Sequence, residues 1–197
     1  MKIGITGGIG SGKSFVSKII EESGYLVLNA DDIAKQIMLE DESVRELIIS
    51  EFGENSYIND ELNRKYIASK AFSSVENVNI LNSIVHPPMV EKINELLTDE
   101  LKRSKIVFVE AALIYEAEID EILDYVLLVT SDESVRSKRI MERDNITETE
   151  IRDRMQFQMS ENEKENLADF TIKNNSSIMD LEMKTKMFIS IFESMSK

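Results

Sequence analysis

The sequence predicts an α/β fold: a parallel, doubly wound sheet with helices on both faces. Three observations predict it. Short apolar runs of strand length alternate with longer stretches of helical spacing. The runs are brief and strongly apolar, as in strands covered on both faces. A glycine-rich stretch, TGGIGSGKS, joins the first run to the first helical stretch.

Residues 2–6 form the first expected strand. Residues 14–23 form a helix with Phe15, Val16, Ile19 and Ile20 on one side, ending at Gly24, a residue that suits a helix C-terminus. A second strand is expected over 25–28. The third comes only at 106–109, so the stretch from about 32 to 104 is too long for a simple crossover and is expected to form a helical insertion, with helices over 44–52 and 88–103. Strands over 125–129 and 170–172 complete a five-stranded sheet, with helices over 133–143, 148–159 and 179–195. Residues 136–165 are dense in charge. They read as a helical hairpin turning at Asp144-Asn145-Ile146-Thr147, with Thr147 as the N-cap of its second helix. The expected organisation is a core of 1–31, 105–135 and 166–197, an insertion of 32–104 and a lid of 136–165.

Composition bounds the function. At 197 residues the chain suffices for one substantial core with a small inserted lobe. Apolar residues make up 42% and charged residues 30%, ordinary for a soluble domain, and no apolar run is long enough to span a bilayer. The N-terminal stretch is short, broken by glycines and without a cleavage pattern, so it is not expected to be a secretory signal. Cysteine is absent, which fits a reducing cytoplasm. One histidine and no cysteine argue against a zinc site. The net charge of −14 argues against broad nucleic-acid binding. It leaves room for a small anionic substrate, because screening over about 8 Å lets a local basic cluster outweigh a distant acidic surface. A monomer or weak homo-oligomer is expected.

Gly7-Gly8-Ile9-Gly10-Ser11-Gly12-Lys13-Ser14 fits G-x-x-x-x-G-K-[ST], with a strand before it and an amphipathic helix after it. Pattern and context read as the phosphate-binding loop of a P-loop NTPase fold, the other reading being a glycine-rich βα turn with an incidental lysine. Its glycines let backbone N–H groups converge on phosphates, and the helix N-terminus adds its own N–H groups and positive dipole end. Lys13 can reach the β- and γ-phosphates, and Ser14 can ligate Mg²⁺. The loop alone fixes nucleotide binding, not the reaction. No guanine-reading N-K-x-D motif is present and no motor machinery is evident, so a small-molecule kinase is the expected class.

Several segments in one order carry a family resemblance: ITGGIGSGKS, LNADDIAKQI, FGENSYINDELNRKYIASKAFS, IVHPPM, FVEAALIYE, RSKRIMERD and ADFTIKNNSS. Along nearly the whole chain the sequence resembles the dephospho-coenzyme A kinases, which phosphorylate the ribose 3′-hydroxyl in the last step of coenzyme A synthesis. The resemblance implies ATP as co-substrate, Mg²⁺, dephospho-coenzyme A as acceptor and a cytoplasmic enzyme. Gly8, Ile9, Gly10, Ser11, Gly12, Lys13, Ser14 and Phe15 would bind the nucleotide. Asp31 takes the place of the family's general base, although the residues alone equally allow an N-cap for a helix starting near residue 32. Glu110, at the third strand's end, would order Mg²⁺ or a water on it, the alternative being a solvated strand end. Arg139 and Arg143 share a helix face and would close over ATP and offset transferring charge, where the residues alone read as a solvated charged face. Arg64, His86 and Glu116 become acceptor-site candidates, with a capping or packing role the other reading of His86. Asn174 would lie near the adenine or serve a turn.

The sequence also departs from the family pattern. Asn29 replaces an aspartate, Glu110 an aspartate, Ala112 a proline, Phe15 a threonine, Arg136 a glutamine and Ser176 a glycine. Phe15 removes a hydroxyl near the α-phosphate, and a ring crowding that phosphate would weaken nucleotide binding. The alternatives left open are a kinase for another small acceptor and a nucleotide-binding regulator that transfers nothing.

Overall fold

The computed structural model describes residues 1–144 and 158–196. Five parallel strands form the sheet: β1 (Lys2–Thr6), β2 (Val27–Asn29), β5 (Val107–Glu110), β6 (Tyr125–Thr130) and β7 (Phe170–Lys173), in the order β2-β5-β1-β6-β7. The expected parallel, five-stranded sheet is present. β1 lies at its centre, with Ile3 and Ile5 fully buried. The register pairs Ile5 with Glu110, and Glu110 in turn with Asn29. Strand carboxyl ends therefore line up along one edge, where open α/β sheets bind ligands.

Two helices pack with the sheet in one cluster. Helix α1 (Lys13–Glu22) buries Val16, Ile19 and Ile20. It ends as expected near Gly24, whose φ of +93° lets its N–H reach Glu21 O while the Tyr25 N–H reaches Ile20 O. That turn takes up Tyr25, so β2 begins at Val27, not at residue 25. The last helix, α8 (Ile178–Met195), is capped by Ser177 and buries Leu181, Thr185, Ile189 and Phe192 at helical spacing. Phe108 sits between these layers with edge-on contacts to Tyr25 and Phe192.

The chain divides into two compact units, Met1–Asn29 with Leu96–Lys197, and Ala30–Glu95. The smaller holds α2 (Ala30–Glu40), α3 (Glu42–Phe52), α4 (Arg64–Ala71) and most of α5 (Val75–Glu100). Its core is Val44, Ile48, Phe52, Tyr57, Ile67, Ala71 and Val85. The insertion also contains strands, which were not expected: β3 (Tyr57–Ile58) pairs antiparallel with β4 (Glu61–Leu62). Asn59 and Asp60 turn between them at φ 51° and 64°, the paired positive values that tight hairpins favour and that these two residue types tolerate.

Helix α5 corrects a second expectation. It does not start at residue 88 but runs from Val75 through both Pro87 and Pro88. An interior proline costs about 3 kcal/mol or more. The helix is held across the pair by Val85, Met89, Ile93 and Leu97, all buried at four-residue spacing, so packing outweighs the local penalty. The larger unit adds α6 (Glu133–Asp144) and a short helix α7 (Glu161–Leu167) with a Ser160–Glu163 capping box. The expected turn at 144–147 and most of the helix over 148–159 lie outside the described residues.

Phe108 is fully buried between β-sheet and helices. Phe108→Ala should lower unfolding free energy by about 3–5 kcal/mol in a denaturant titration; a loss under about 1 kcal/mol would show that this cluster does not hold the core.

Candidate active site

The loop after β1 is shaped by its neighbours. Gly7 has φ +147°, and a Cβ there would stand 2.0 Å from the Val129 carbonyl oxygen on β6. Gly12 has φ +106°, and a Cβ there would come within 2.5 Å of Asn174 Nδ2. No other residue can follow this course. The loop thus delivers the N-terminus of α1, which has no side-chain cap. An uncapped helix start is an anion site by its N–H groups and dipole.

Ser14, in the first turn of α1, donates its hydroxyl to Glu110 Oε1 at 3.0 Å. Glu110 is 8% exposed at the end of β5. A hydroxyl and a carboxylate this close offer two hard oxygens on one side of the loop, the donor set that suits Mg²⁺ when substrate phosphates complete its shell. Among the described residues no three His, Cys, Asp or Glu side chains gather into a metal cluster. A cation here would therefore depend on phosphate oxygens.

Asn174, after β7, braces the loop from the other side. Its Nδ2 donates to Ser11 O at 2.8 Å, and its Oδ1 accepts from Arg139 Nη2 at 3.4 Å. One buried amide thus joins the phosphate loop to α6. Arg139 Nη1 is buried and has no partner among the described residues, a donor left for an anion. Asn175 and Asp132 tie the adjoining strand ends together: the Asp132 N–H donates to Asn175 Oδ1 at 2.8 Å, and Asn175 Nδ2 to Asp132 Oδ1 at 2.9 Å.

Two buried cations lie in the same unit as this loop, and neither was foreseen in that role. Lys164 on α7 is fully buried; its Nζ donates to Ala112 O at 2.8 Å and faces Glu116 Oε1 at 3.5 Å. Glu116 Oε1 also accepts the Met159 N–H at 2.6 Å, while its Oε2 is buried without a partner among the described residues. Glu116 therefore joins the segment after β5 to the start of α7. The neighbouring Tyr115 hydroxyl is pushed up to about 12, chiefly by burial and then by the charges of Asp120, Asp169 and Glu116. The second cation, Arg136, pairs with Glu161 at 3.2 Å. Its substitution for the family's glutamine was visible in the sequence; its partner, 25 residues on, was not.

The remaining candidates divide between the units. Phe15 packs against the apolar cluster of the sheet. Asp31 lies in the smaller unit, one residue into α2, exposed and with no hydrogen-bond partner among the described residues. It caps no helix, since α2 already begins at Ala30; the capping alternative is thereby removed. Arg64 is exposed at the start of α4, after the Asn63 cap. His86 is half-buried in the middle of α5. The side chain of Arg143 lies outside the described residues.

Comparison with known proteins supplies the family. The model described as Dephospho-CoA kinase matches residues 1–180. The chain belongs to the dephospho-CoA kinase family. It is 40% identical over 190 residues to the dephospho-CoA kinase of Fusobacterium nucleatum, covering 95% of this chain and 96% of that one. Against the Salinibacter ruber dephospho-CoA kinase the identity is 38% over 187 residues, 93% of each. Among solved structures, the dephospho-CoA kinase from Campylobacter jejuni superposes with a TM-score of 0.76 at 30% identity, over the full length of both chains. The protein is thus a kinase of this family, and its described helices include none long and apolar enough to cross a membrane.

Asn174→Ala removes both the Ser11 brace and the Arg139 contact. MgATP affinity should fall by up to about thirtyfold by calorimetric titration, since two hydrogen bonds at about 1 kcal/mol each that hold the loop are lost. Unchanged affinity would show that the loop holds its shape without this amide.

Proposed function

We propose that the protein transfers the γ-phosphoryl group of ATP to the ribose 3′-hydroxyl of dephospho-coenzyme A, giving coenzyme A and ADP. The observation that carries this reading is the Ser14–Glu110 pair beside the Lys13 loop, in a chain of this family. The loop amides from Ile9 to Ser14, with Lys13, cradle the triphosphate; the Gly8 N–H is donated to Glu161 and anchors the loop instead. Ser14 and Glu110 would hold Mg²⁺, which would supply positive charge to offset that of the phosphates. Asn174 keeps the loop in shape beside the nucleotide.

Asp31 acts as the general base. Its carboxylate accepts the proton of the 3′-hydroxyl as that oxygen bonds to the γ-phosphorus; the bond from phosphorus to the β,γ-bridging oxygen breaks, and ADP leaves. Support comes from its place: two residues beyond the carboxyl end of β2, on an exposed side chain with no competing hydrogen bond among the described residues. Arg139, with a buried nitrogen that has no partner among the described residues, stabilises the transferring phosphoryl group, and Arg143 belongs to the same helix. Arg64, His86 and Glu116 serve the acceptor side. Exclusion of water during transfer prevents hydrolysis of ATP. We assign the enzyme to the cytoplasm, in keeping with a chain free of cysteine, and expect a monomer or weak homo-oligomer.

The test mixes protein, MgATP and a panel of hydroxyl acceptors and monitors ADP and phosphorylated product. Product with dephospho-coenzyme A alone supports the reading. Product with a different acceptor, or tight ATP binding with no product at all, overturns it.

Two substitutions test the roles. Asp31→Asn should lower kcat by about 10²–10⁴-fold with MgATP affinity kept; wild-type turnover would remove Asp31 from the chemistry. Arg139→Ala should lower kcat by about 10²–10³-fold and change KM for ATP far less. A raised KM for ATP with kcat unchanged would make it a contact made equally in the ground state.

A further inference from the structure

The motif G-x-x-x-x-G-K-[ST] requires glycine at positions 7 and 12 of this chain. Gly8 and Gly10 stand where any residue fits the pattern, and their φ values differ: Gly10 is at +80°, whereas Gly8 is not in the positive region. On the side where a Cβ would stand, both meet protein. A Cβ on Gly10 would lie 2.8 and 2.9 Å from the Ile140 side chain and 3.0 Å from the Arg136 carbonyl. A Cβ on Gly8 would lie 2.4 Å from Glu161 Oε1 and 2.5 Å from Arg136 Nη1. Both glycines make room for α6 and for one carboxylate.

That carboxylate is fully used. Glu161 Oε1 accepts the Gly8 N–H at 2.9 Å and Arg136 Nη1 at 3.2 Å, and Oε2 accepts the Thr130 hydroxyl at 2.6 Å. The Arg136 and Glu161 side chains are 6% and 18% exposed. Glu161 thus fastens four pieces of chain at one point: the phosphate loop, the end of β6, α6 and the start of α7. Arg136, Arg139 and Ile140 are three and four apart on α6, so they share one face. Whatever fixes Arg136 on the loop also fixes where Arg139 emerges.

We propose that Glu161 and Arg136 form a positioning pair for phosphoryl transfer, setting the register of α6 on the nucleotide loop and cancelling each other's charge beside the triphosphate. Removing one partner leaves the other's charge bare in a nearly dry place. The sign of the effect on nucleotide binding then depends on which partner is removed. A bare Arg136 attracts ATP and competes with Arg139 for it. A bare Glu161, still held by Gly8 and Thr130, repels ATP. A pair that only packs would give losses of one sign.

The inference rests on the kinase reading for its turnover arm only. The experiment compares wild type, Glu161→Gln, Arg136→Gln and the double variant by MgATP titration without acceptor and by steady-state turnover, with thermal unfolding as the fold control. For Glu161→Gln we expect MgATP affinity equal to wild type or tighter, and kcat down about tenfold. For Arg136→Gln, affinity should weaken about tenfold. The double variant should bind MgATP within about threefold of wild type and recover most of the lost kcat. Gly8→Ala, which pushes the pair off the loop, should lower kcat as Glu161→Gln does. Effects of one sign that add in the double variant overturn the proposal. So does a double variant that fails to fold, since it carries no bare charge. A wild type that binds ATP yet phosphorylates no acceptor would count against the kinase reading, while the binding arm still decides the pair.

Discussion

The site depends on the close approach of the β6 backbone to the first residue after β1. β1 and β6 are hydrogen-bonded neighbours up to Thr6 and Leu128, so the chain leaving β1 must pass directly beside the Val129 carbonyl. Only a residue without Cβ clears it. That one steric fact sets the rest of the site. The loop turns over the strand ends, its next forced glycine meets Asn174, and α1 starts with its N–H groups at the mouth of the sheet. The phosphate site is therefore a property of strand order. β1 sits between β5 and β6, and that placement brings Glu110 from one neighbour and Asn174, beyond β7, from the other side to the same loop.

The core and loop were legible because their signals are local. Strand-length apolar runs, the helix with Val16, Ile19 and Ile20 on one side, and the Gly-Lys-Ser sequence each sit within a dozen residues. Boundaries slipped where a local signal had two meanings. Tyr25 reads as a strand residue, yet its N–H is spent on closing α1. Pro87-Pro88 reads as a helix start; the buried ladder from Val85 to Leu97 overrides it. The Asn59-Asp60 turn was readable in principle, since Asn and Asp before a short polar-apolar pair signal a hairpin, but four residues of strand are too few to show a period of two.

The buried charges were not legible. Lys164 and Arg136 stand in stretches so rich in charge that a solvated face is the natural reading. What makes each buried is a carboxylate distant in sequence: Glu116 is 48 residues from Lys164 by number, and Glu161 is 25 from Arg136. No periodicity links such pairs. Burying them is costly unless every oxygen and nitrogen finds a partner, which Glu161 achieves with three donors and Glu116 does not. Within this nucleotide-binding unit the two cations do different work. Lys164 fixes backbone behind Glu110, at the Ala112 carbonyl; Arg136 sits on the loop itself.

The departures from the family pattern become intelligible by asking which atom each position uses. At 112 the structure uses the carbonyl, held by Lys164. Alanine and proline supply that atom equally, so the exchange leaves the contact intact. At 110 the structure uses a carboxylate oxygen near Ser14. Glutamate has one methylene more than aspartate, and it still brings Oε1 to 3.0 Å of the hydroxyl, so the contact with Ser14 survives with a longer arm. At 15 the exchange from a hydroxyl to a ring changes the atom itself. The Phe15 ring packs against the sheet's apolar cluster while its N–H bonds to Gly12 O. The lost hydroxyl is thus traded for burial that steadies the first turn of α1, the turn on which Lys13 and Ser14 stand.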